Sequence, residues 1–455
     1  MAWQKIPGVI RAQQTRVKLE TPSGVYTLIP YPRRAPIPAQ TMEETGEKLF
    51  GYLDQEEVMV EGDLSGDNVY EAHLVVEGSL PVQDLGVVPG SQDWFTVEIE
   101  QYFKKDASEI AGKLNEAGIR SVSALYHRIK NNYATELSIF SRYLKVPERR
   151  IEEFLNALES KPQSQGLIMK SPRFPVQRGV NLKLLEKRGL AVAKKASSQP
   201  PKLPVTAITP NLPSKADLTV HVTPVKNQGL RGTCVAHTVA ACLEADLIKK
   251  SKAKASLDLS EQYLYWACKN LDGAPDEEGT FIEHAVEVLL NGVASEKLAG
   301  GVCTEREWSY NRLPKTGNES HGPLPTLARK SFKDGKQKRI SKYSKLNPNS
   351  IKALKKVLAS GLCIGLSVRT YHFWEDDYAF REGVISLPLS LEPDGAHAIC
   401  LIGYRDNDES HGDGYFIFKN SWDTTWGYGR PDPGYGSLPY RYVLREAIEA
   451  YTVEA

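Results

Sequence analysis

The chain has 455 residues, too many for one ordinary hydrophobic core, so two or three domains are expected. Its apolar fraction of 41% and charged fraction of 25% are typical of a globular protein. The formal net charge of +1 favours neither nucleic acid nor acidic membranes as partners. No apolar run reaches the length of about 18 residues that would indicate a membrane span. The first residues also lack the apolar core of a secretory signal, so neither membrane insertion nor secretion is expected.

Residues 1–95 are predicted to form a small β-rich domain. Short apolar or alternating runs separated by Gly, Pro and Asp indicate strands. They lie at Val17–Glu20, Gly24–Ile29, Glu57–Glu61 and Ala72–Glu77. These runs carry no recognisable chemistry, so a contact or scaffolding role is expected, with a protein partner for residues 1–160 as the accompanying hypothesis.

Residues 96–160 are predicted to form a small helical domain. The apolar spacing indicates two helix–turn–helix units, Ile110–Ile129 and Leu137–Leu158. These units are similar to helix-hairpin-helix pairs, some of which bind nucleic-acid backbone through a glycine-bearing turn. Only Gly118 fits such a turn, and the second unit has Lys145–Pro147 there. A protein-interaction or spacer domain is therefore favoured over nucleic-acid binding.

Residues 161–207 are predicted to be a linker. Pro, Ser, Lys and Gln dominate its two ends, and its charges are almost all basic, with Glu186 as the exception. Such a run is usually a solvated connection. Its position ahead of the last domain also allows it to be an inhibitory segment, and both interpretations stay open.

The chemistry of the chain is concentrated after residue 208. Cys234 follows Gly229 and Gly232 and precedes a run with helical period, so it is predicted to lie in the first turn of a helix. The partial positive charge of a helix N-terminus favours a thiolate over a thiol, and a nearby imidazolium would favour it further. His397 and Asn420 are the downstream candidates for the partners of this nucleophile.

Three blocks resemble the signatures of the papain family of cysteine peptidases. They are Val222 to Cys234 (V-T-P-V-K-N-Q-G-x-x-G-T-C), the later G-A-H-A around His397, and Lys419 to Gly427 (K-N-S-W-x-x-x-W-G). Their order along the chain is Cys, His, Asn, which is also the order of the family. The resemblance covers about residues 208–455. A single Cys near two glycines would usually be only a buried small residue.

The resemblance implies an α+β fold for residues 208–455, in which a helical lobe faces a β-barrel-like lobe. The L-S-E-Q block at Leu259 and the run from Glu278 to Gly292 are expected to supply helices of the first lobe. The second lobe is expected to contain strands or strand ends. These lie at Cys363–Val368, His397–Tyr404, Gly414–Lys419 and Gly434–Val443.

The resemblance also implies a role for each site residue. Cys234 would attack the carbonyl and form a thioester acyl-enzyme, and His397 would hold the proton and deliver it to the leaving amine. Asn420 would orient the imidazole, and Gln228 would donate its side-chain amide to the oxyanion. Trp422 would cover the contact between Asn420 and His397. His237, one turn after the nucleophile, is expected to be structural.

The same comparison suggests which residues contact the substrate chain. Gly279 stands where the family has a glycine against the substrate backbone, and Gly232 lies beside the nucleophile. An apolar second pocket is expected from Thr280, Phe281, Leu366 and Ala398. Such a pocket would favour a hydrophobic side chain at the second residue before the cut.

The six cysteines are expected to be free thiols. Secreted relatives usually carry a cysteine three residues before the nucleophile, bridged to one that looks like Cys268, but this chain has Arg231 there. The missing partner indicates a reducing, cytoplasmic location. No spacing resembles a zinc site, so neither metal nor cofactor is expected.

Three hypotheses about function remain at this stage. The first is a cytoplasmic thiol peptidase that acts on polypeptides and is restrained or targeted by its N-terminal region. The second is isopeptidase, aminopeptidase or transpeptidase chemistry on the same fold. The third is a non-catalytic binding module, which the intact Gln, Cys, His and Asn set disfavours.

Overall fold

The computed structural model describes most of residues 99–455 and part of the region before them. The described residues are 3–13, 16–22, 24–29, 57–65, 68–75, 99–119, 121–159, 180, 198–202, 212–275, 277–311, 323–406, 414–428, 430 and 432–455. The chain divides into two compact units, one made of residues 1–86 with 170–176 and the other of residues 87–169 with 177–455. The predicted domain boundaries at residues 95, 160 and 207 stay predictions.

The first unit contains a closed barrel of five strands. The strands are β1 (Trp3–Gln13), β2 (Arg16–Thr21), β3 (Gly24–Ile29), β4 (Glu57–Ser65) and β5 (Asn68–Val75). Their order around the barrel is β1-β2-β3-β5-β4, and the β3–β5 pair is parallel. Four of these strands overlap the alternating runs in the sequence, because alternation with period two gives a strand one buried face.

The second unit begins with four helices, which we call the helical unit. They are α1 (Ala107–Glu116), α2 (Val122–Asn131), α3 (Tyr133–Leu144) and α4 (Glu148–Glu159). The turn between α1 and α2 contains Gly118 at φ +74°, and α3 ends at Lys145 at φ 61°. Positive φ is readily adopted by glycine, and it ends a helix by turning the chain sharply. The helices bury Ile110, Leu114, Leu125, Ile129, Phe140, Leu144, Phe154 and Leu155.

Three helices form the core of the helical lobe. They are α5 (Cys234–Lys249), α6 (Glu261–Lys269) and α7 (Ile282–Asn291). Helix α5 is apolar on nearly every side, and all of its residues up to Leu247 are buried. A helix of this kind must lie in the centre of a domain. Helix α8 (Thr326–Lys333) follows further along the chain.

The second lobe is built on an antiparallel sheet. Its strand order is β11-β10-β9-β8-β12-β7, and the short β6 pairs with β9. The strands are β6 (Lys215–Asp217), β7 (Lys342–Leu346), β8 (Ile364–Thr370), β9 (Gly395–Asp406), β10 (Gly414–Lys419), β11 (Tyr435–Pro439) and β12 (Ala447–Glu454). Helix α9 (Ile351–Ala359) precedes β8, and α10 (Asp377–Glu382) lies between β8 and β9. Helix α5 packs on β9, β8 and β12, which brings the two lobes together.

The predicted strand over Gly434–Val443 is only half correct. Strand β11 ends at Pro439, and Tyr440–Glu446 form helix α11. Proline has no N–H to donate to a sheet ladder, so the strand stops there, and its fixed φ of −56° suits the residue that precedes a helix. Tyr440 and Tyr442 are both buried, so their apolar character reflects packing of the helix and not a strand.

Among the described residues, no helix is both long enough and apolar enough to cross a bilayer. All six cysteines are buried and unbridged.

Helix α10 begins with a buried acidic cap. Asp376 is 4% exposed, and its carboxylate accepts a hydrogen bond of 2.7 Å from the backbone N–H of Ala379. Burial raises the pKa of Asp376 from 3.8 to about 6, although the N–H of Ala379 acts in the opposite direction. The folded protein therefore prefers the neutral carboxyl, and the stability that this preference provides is lost as pH rises from about 4 to about 6.

We expect Asp376→Asn to stabilise the protein at neutral pH. Asparagine keeps the acceptor oxygen for Ala379 but removes the buried charge. The gain in unfolding free energy over wild type should be near zero at pH 4 and reach at most about 3 kcal/mol above pH 6, as a two-unit shift implies. Urea unfolding at a series of pH values measures it. The matched control is Asp217→Asn, an exposed aspartate that also accepts from a backbone N–H, and a gain independent of pH would contradict the expectation.

Candidate active site

Cys234 is the first residue of α5 and lies between the lobes. Its side chain is completely buried. The backbone N–H of Ala398, on strand β9, donates to the Cys234 sulfur across 3.3 Å. The helix N-terminus and this N–H both present positive dipole ends to the sulfur, an arrangement that favours a thiolate.

His397 and Asn420 are in direct contact. The Nε2 atom of His397 lies 2.8 Å from Oδ1 of Asn420, so this ring nitrogen carries a proton that the amide oxygen accepts. His397 precedes Ala398 on β9, the residue whose N–H reaches the sulfur. The contact to Asn420 fixes the ring orientation, because the imidazole can no longer rotate without losing it.

Two tryptophans enclose the imidazole. The Trp422 ring stacks on His397 with centroids 4.5 Å apart and planes 29° apart. Trp374 meets the same imidazole edge-on at 6.0 Å. His397 is completely buried, and Asn420 and Trp422 are 3% and 2% exposed. Water is thereby kept from the hydrogen bond between the imidazole and Asn420.

Gln228 lies on the loop before α5 and is held on three sides. Its Nε2 donates to the carbonyl of Arg231 at 2.8 Å, and its Oε1 accepts from the Ser421 hydroxyl at 2.6 Å. Its backbone N–H also donates to the Ser421 carbonyl. Since Ser421 follows Asn420, these contacts tie the Gln228 loop to the Asn420 loop.

The loops around Gly232 and Gly279 approach each other closely. A Cβ on Gly232 would lie 2.8 Å from the nitrogen of Gly279, so only glycine fits there. The role expected for Gly279 against a substrate backbone stays a prediction. Its N–H donates to the Tyr265 hydroxyl and its carbonyl accepts from Lys269, so both backbone groups are used within the protein.

The neighbouring Thr280 contacts a residue from before the second lobe's first strand. It forms a parallel β-bridge with Val180, a residue of the 161–207 segment. The backbone N–H of Val180 also donates to the carbonyl of Ala396, the residue before His397, at 3.3 Å. Val180 is 5% exposed, so it is buried between one residue of each lobe.

The four residues of the predicted apolar pocket are all buried: Thr280, Phe281, Leu366 and Ala398. Phe281 precedes α7, Leu366 lies on β8 and Ala398 on β9. Sequence reasoning missed a carboxylate beside them. Glu449 accepts from the N–H of Ile282 at 2.9 Å and from the Ser367 hydroxyl at 3.0 Å, and burial raises its pKa.

Arg231 lies three residues before Cys234, on the loop that leads into α5. Its side chain is completely buried, and Nη1 donates to Gln262 Oε1 at 2.6 Å and to the Asn311 carbonyl at 2.8 Å. Its guanidinium also lies over the rings of Tyr265 and Tyr310 at 5.2 and 5.5 Å. Cys268 is buried and unbridged, so these contacts hold the loop without a disulfide.

Two lysines contact polar and charged side chains next to the loops that carry Gln228 and Asn420. Lys226 lies within 2.6 Å of Glu261 and of Asp258, and 3.4 Å from Glu244. Burial alone would lower the pKa of Lys226, but these carboxylates raise it, so the lysine stays charged. Lys419, which precedes Asn420, donates to the Thr223 hydroxyl at 3.1 Å.

Sequence reasoning missed three residues that hold the site. Ser421 was visible inside the K-N-S-W block, but nothing distinguished its hydroxyl as the partner of Gln228. The Tyr310 hydroxyl donates to the Gln228 carbonyl at 2.8 Å and contacts Thr233, the residue before the nucleophile. Trp374 lies outside every block. His237 contacts the Thr233 carbonyl and the Tyr310 ring, as a structural residue would.

Comparison with known proteins identifies the family of the second part of the chain. The family model described as "Papain family cysteine protease" matches residues 212–437. An uncharacterized peptidase C1-like protein of Acanthamoeba polyphaga mimivirus is 25% identical over 49% of this chain and 66% of its own length. A senescence-specific cysteine protease of Arabidopsis thaliana is 31% identical over 45% of this chain and 51% of its own length.

Among solved structures, xylellain, a cysteine protease from Xylella fastidiosa, is similar with a TM-score of 0.47 and 23% identity. The similarity covers 63% of this chain and 98% of xylellain. The chain spans about half to two thirds of the length of the curated relatives named above. Among the described residues, no group of three or more His, Cys, Asp or Glu side chains could hold a metal ion.

We expect Arg231→Ala to destabilise the catalytic domain by about 2–3 kcal/mol, because it removes the charge-assisted hydrogen bonds to Gln262 Oε1 and the Asn311 carbonyl and leaves Oε1 with only the 3.3 Å hydrogen bond from the Asn311 N–H. Urea unfolding measures the loss. The control is Arg329→Ala, a surface arginine paired with Glu296, which should change the unfolding free energy by less than about 1 kcal/mol. Equal losses in the two variants would argue against a structural role for Arg231.

Proposed function

Because its residues 212–437 place this chain in the papain family of cysteine proteases, we propose that it is a cysteine peptidase that uses Cys234, His397 and Asn420. One observation carries this proposal. The imidazole that is hydrogen-bonded to Asn420 at 2.8 Å stands next to the residue whose N–H reaches the Cys234 sulfur at 3.3 Å. An electron-rich sulfur, an oriented base and a water-excluding wall are the groups that acyl transfer needs.

The reaction takes place in two halves. The Cys234 thiolate attacks the carbonyl carbon, a C–S bond forms and the carbonyl electrons move to oxygen. The tetrahedral intermediate collapses as the C–N bond breaks, and His397 gives its proton to the leaving amine. In the second half His397 takes a proton from water, the hydroxide attacks the thioester carbon, and the C–S bond breaks to return the thiolate.

The oxyanion is stabilised by hydrogen-bond donors that are already in place. We assign this role to the side-chain amide of Gln228 and to the backbone N–H of Cys234, which belongs to the first turn of α5. The contacts of Gln228 to Arg231 and Ser421 fix its orientation before substrate binds, so no reorganisation is needed during the reaction. Losing one such donor lowers the rate by about 10²–10³.

The polypeptide substrate would bind beside Thr280, with its second side chain before the cut facing Phe281, Leu366 and Ala398. Their burial and apolar character support a preference for a hydrophobic side chain there. A cytoplasmic location is part of this proposal. The contacts of Arg231 stand in place of the disulfide expected in secreted relatives, and they suit a reducing compartment.

We further propose that the 161–207 segment inhibits the enzyme by occupying this cleft. Val180 is hydrogen-bonded to the backbone of Ala396 and bridged to Thr280, one residue from each lobe. A backbone hydrogen bond together with a β-bridge is the kind of contact by which peptides bind to a cleft. The complete burial of Cys234 agrees with a blocked site.

Replacing Val180 by arginine should expose the site. Burying a valine side chain contributes about 1.5–3 kcal/mol, so we expect Val180→Arg to raise the rate at which an epoxysuccinyl reagent labels Cys234 by about 10–100-fold. Mass spectrometry of the intact chain measures the labelling. The control is Val220→Arg, a valine that is already 81% exposed, and it should react at the wild-type rate. Equal rates in all three chains would rule out inhibition through Val180.

The catalytic assignment is tested in wild type and in the Val180→Arg chain. Cys234→Ala should abolish labelling, and His397→Ala should lower peptide hydrolysis by about 10²–10⁴ because the general acid–base is lost. His284→Ala, on helix α7, serves as the histidine control and should retain activity. Labelling that persists in Cys234→Ala would contradict the nucleophile assignment. Efficient labelling without hydrolysis of any peptide would instead favour transpeptidase or isopeptidase chemistry.

A further inference from the structure

The helical unit is attached to one segment of the catalytic domain. This segment, residues 371–391, lies between β8 and β9 and contains α10. The Leu387 N–H donates to the Ala117 carbonyl at 3.0 Å, and a Cβ on Gly118 would lie 3.4 Å from the Cα of Ser386. Helix α10 packs on α2, where Arg381 donates to the Ser123 hydroxyl at 2.7 Å. A spacer domain would not need backbone contact of this kind.

Arg128, on α2, lies at the centre of this interface and is completely buried. Its Nη1 donates to the Ser386 hydroxyl at 2.6 Å and to the Leu387 carbonyl at 2.9 Å. The guanidinium also lies over the Phe373 ring, 4.0 Å from the centroid. One side chain therefore holds both ends of the 371–391 segment.

A buried carboxylate completes the contact. Glu136, on α3, accepts from Arg128 Nε at 2.6 Å and lies 2.8 Å from Nε2 of His372. Burial alone would raise the pKa of Glu136, but the charge of Arg128 and the hydrogen bonds from His372 and Arg128 hold it below its ordinary value. Glu136 is therefore an anion, and it fixes His372, the residue before Phe373.

The 371–391 segment, which Arg128 and Glu136 hold, also packs against the imidazole of His397 through Trp374. Trp374 follows Phe373 and packs against His397 and Trp422. Its carbonyl accepts from the Trp426 indole at 3.4 Å, and its own indole donates to the Tyr442 hydroxyl at 2.8 Å. A shift of residues 372–373 would move Trp374 with them, because the three residues belong to one short 3-10 turn.

The Arg128–Glu136 pair is not arranged for maximal stability. Nη2 of Arg128 and Oε2 of Glu136 are buried, and within the described part of the chain neither has a hydrogen-bond partner. Desolvated and incompletely satisfied ion pairs contribute little net stability compared with apolar packing. Their value lies in fixing the groups they contact.

We propose that Arg128, with Glu136, is a positioning residue for catalysis: it fixes Phe373 and Leu387, and through them the Trp374 wall that orients His397. The inference rests on the proposed role of His397. The helical unit is then a part of the catalytic machinery, supplied from outside residues 212–437.

The experiment compares full-length chains carrying Arg128→Met or Arg128→Lys with wild type. Lysine keeps a positive charge opposite Glu136 but cannot bond to Glu136, Ser386 and Leu387 together. If the methionine variant does not fold, the lysine variant tests the positioning role. The matched control is Arg150→Met. Arg150 belongs to the same helical unit and pairs with Asp106 at 2.9 Å, away from the 371–391 segment. Thermal unfolding establishes that each chain is folded at the assay temperature.

The first measurement is the NMR titration of the His397 ring nitrogens, assigned by their loss in His397→Gln. It needs no substrate, so a blocked cleft does not affect it. In the Arg128 variants we expect the titration midpoint to move by about 0.5 pH unit or more towards that of Cys234→Ala, because a displaced imidazole interacts less with the thiolate. Arg150→Met should keep the wild-type midpoint.

The second measurement is peptide hydrolysis, with Val180→Arg added to every chain. We expect kcat to fall about tenfold in the Arg128 variants while KM is unchanged, the pattern of a group that acts only on the chemical step. Folded Arg128 variants with wild-type midpoint and kcat would overturn the positioning role while leaving the proposed function intact. A wild-type midpoint identical to that of Cys234→Ala would overturn both, since the thiol and imidazole would then not interact.

Discussion

The contact between the Ala398 N–H and the Cys234 sulfur joins the two lobes at the site of chemistry. It requires that the first turn of α5 meet strand β9 within hydrogen-bond distance. The surrounding structure keeps these two elements in place: α5 is buried over most of its length, and β9 lies inside the sheet. Asn420 and Trp422 hold the imidazole of His397, the residue before Ala398. A site assembled from both lobes is only as accurate as the packing between them.

That accuracy comes from buried polar contacts and not from covalent links. Arg231 holds the loop before α5 through Gln262, the Asn311 carbonyl and two tyrosine rings. Lys226 joins the same loop to three carboxylates, and Ser421 ties it to the loop of Asn420. The contacts of Arg231 and Ser421 are shielded from water, so leaving either side chain without its partners would be costly.

The sequence predicted the parts of the site that short patterns encode. The apolar period after Gly232 located the start of α5, and alternation located most strands, because both depend on neighbouring residues alone. It could not predict the role of Trp374, the bridge from Val180 to Thr280, or the contact from Arg128 to Leu387. The residues in these contacts are far apart in the sequence, by 259 positions for Arg128 and Leu387, and share no motif. Only the folded chain brings them together. The strand predicted through Tyr440 failed because Pro439 ends it.

The position of β12 has a consequence for synthesis of the chain on the ribosome. This strand, Ala447–Glu454, is inserted between β8 and β7 and is made after both. Until it emerges, β8 has an open edge and α5 lacks part of the sheet on which it rests. The second lobe therefore completes its sheet only after residue 454 has been synthesised, and the open edge of β8 is covered late in folding.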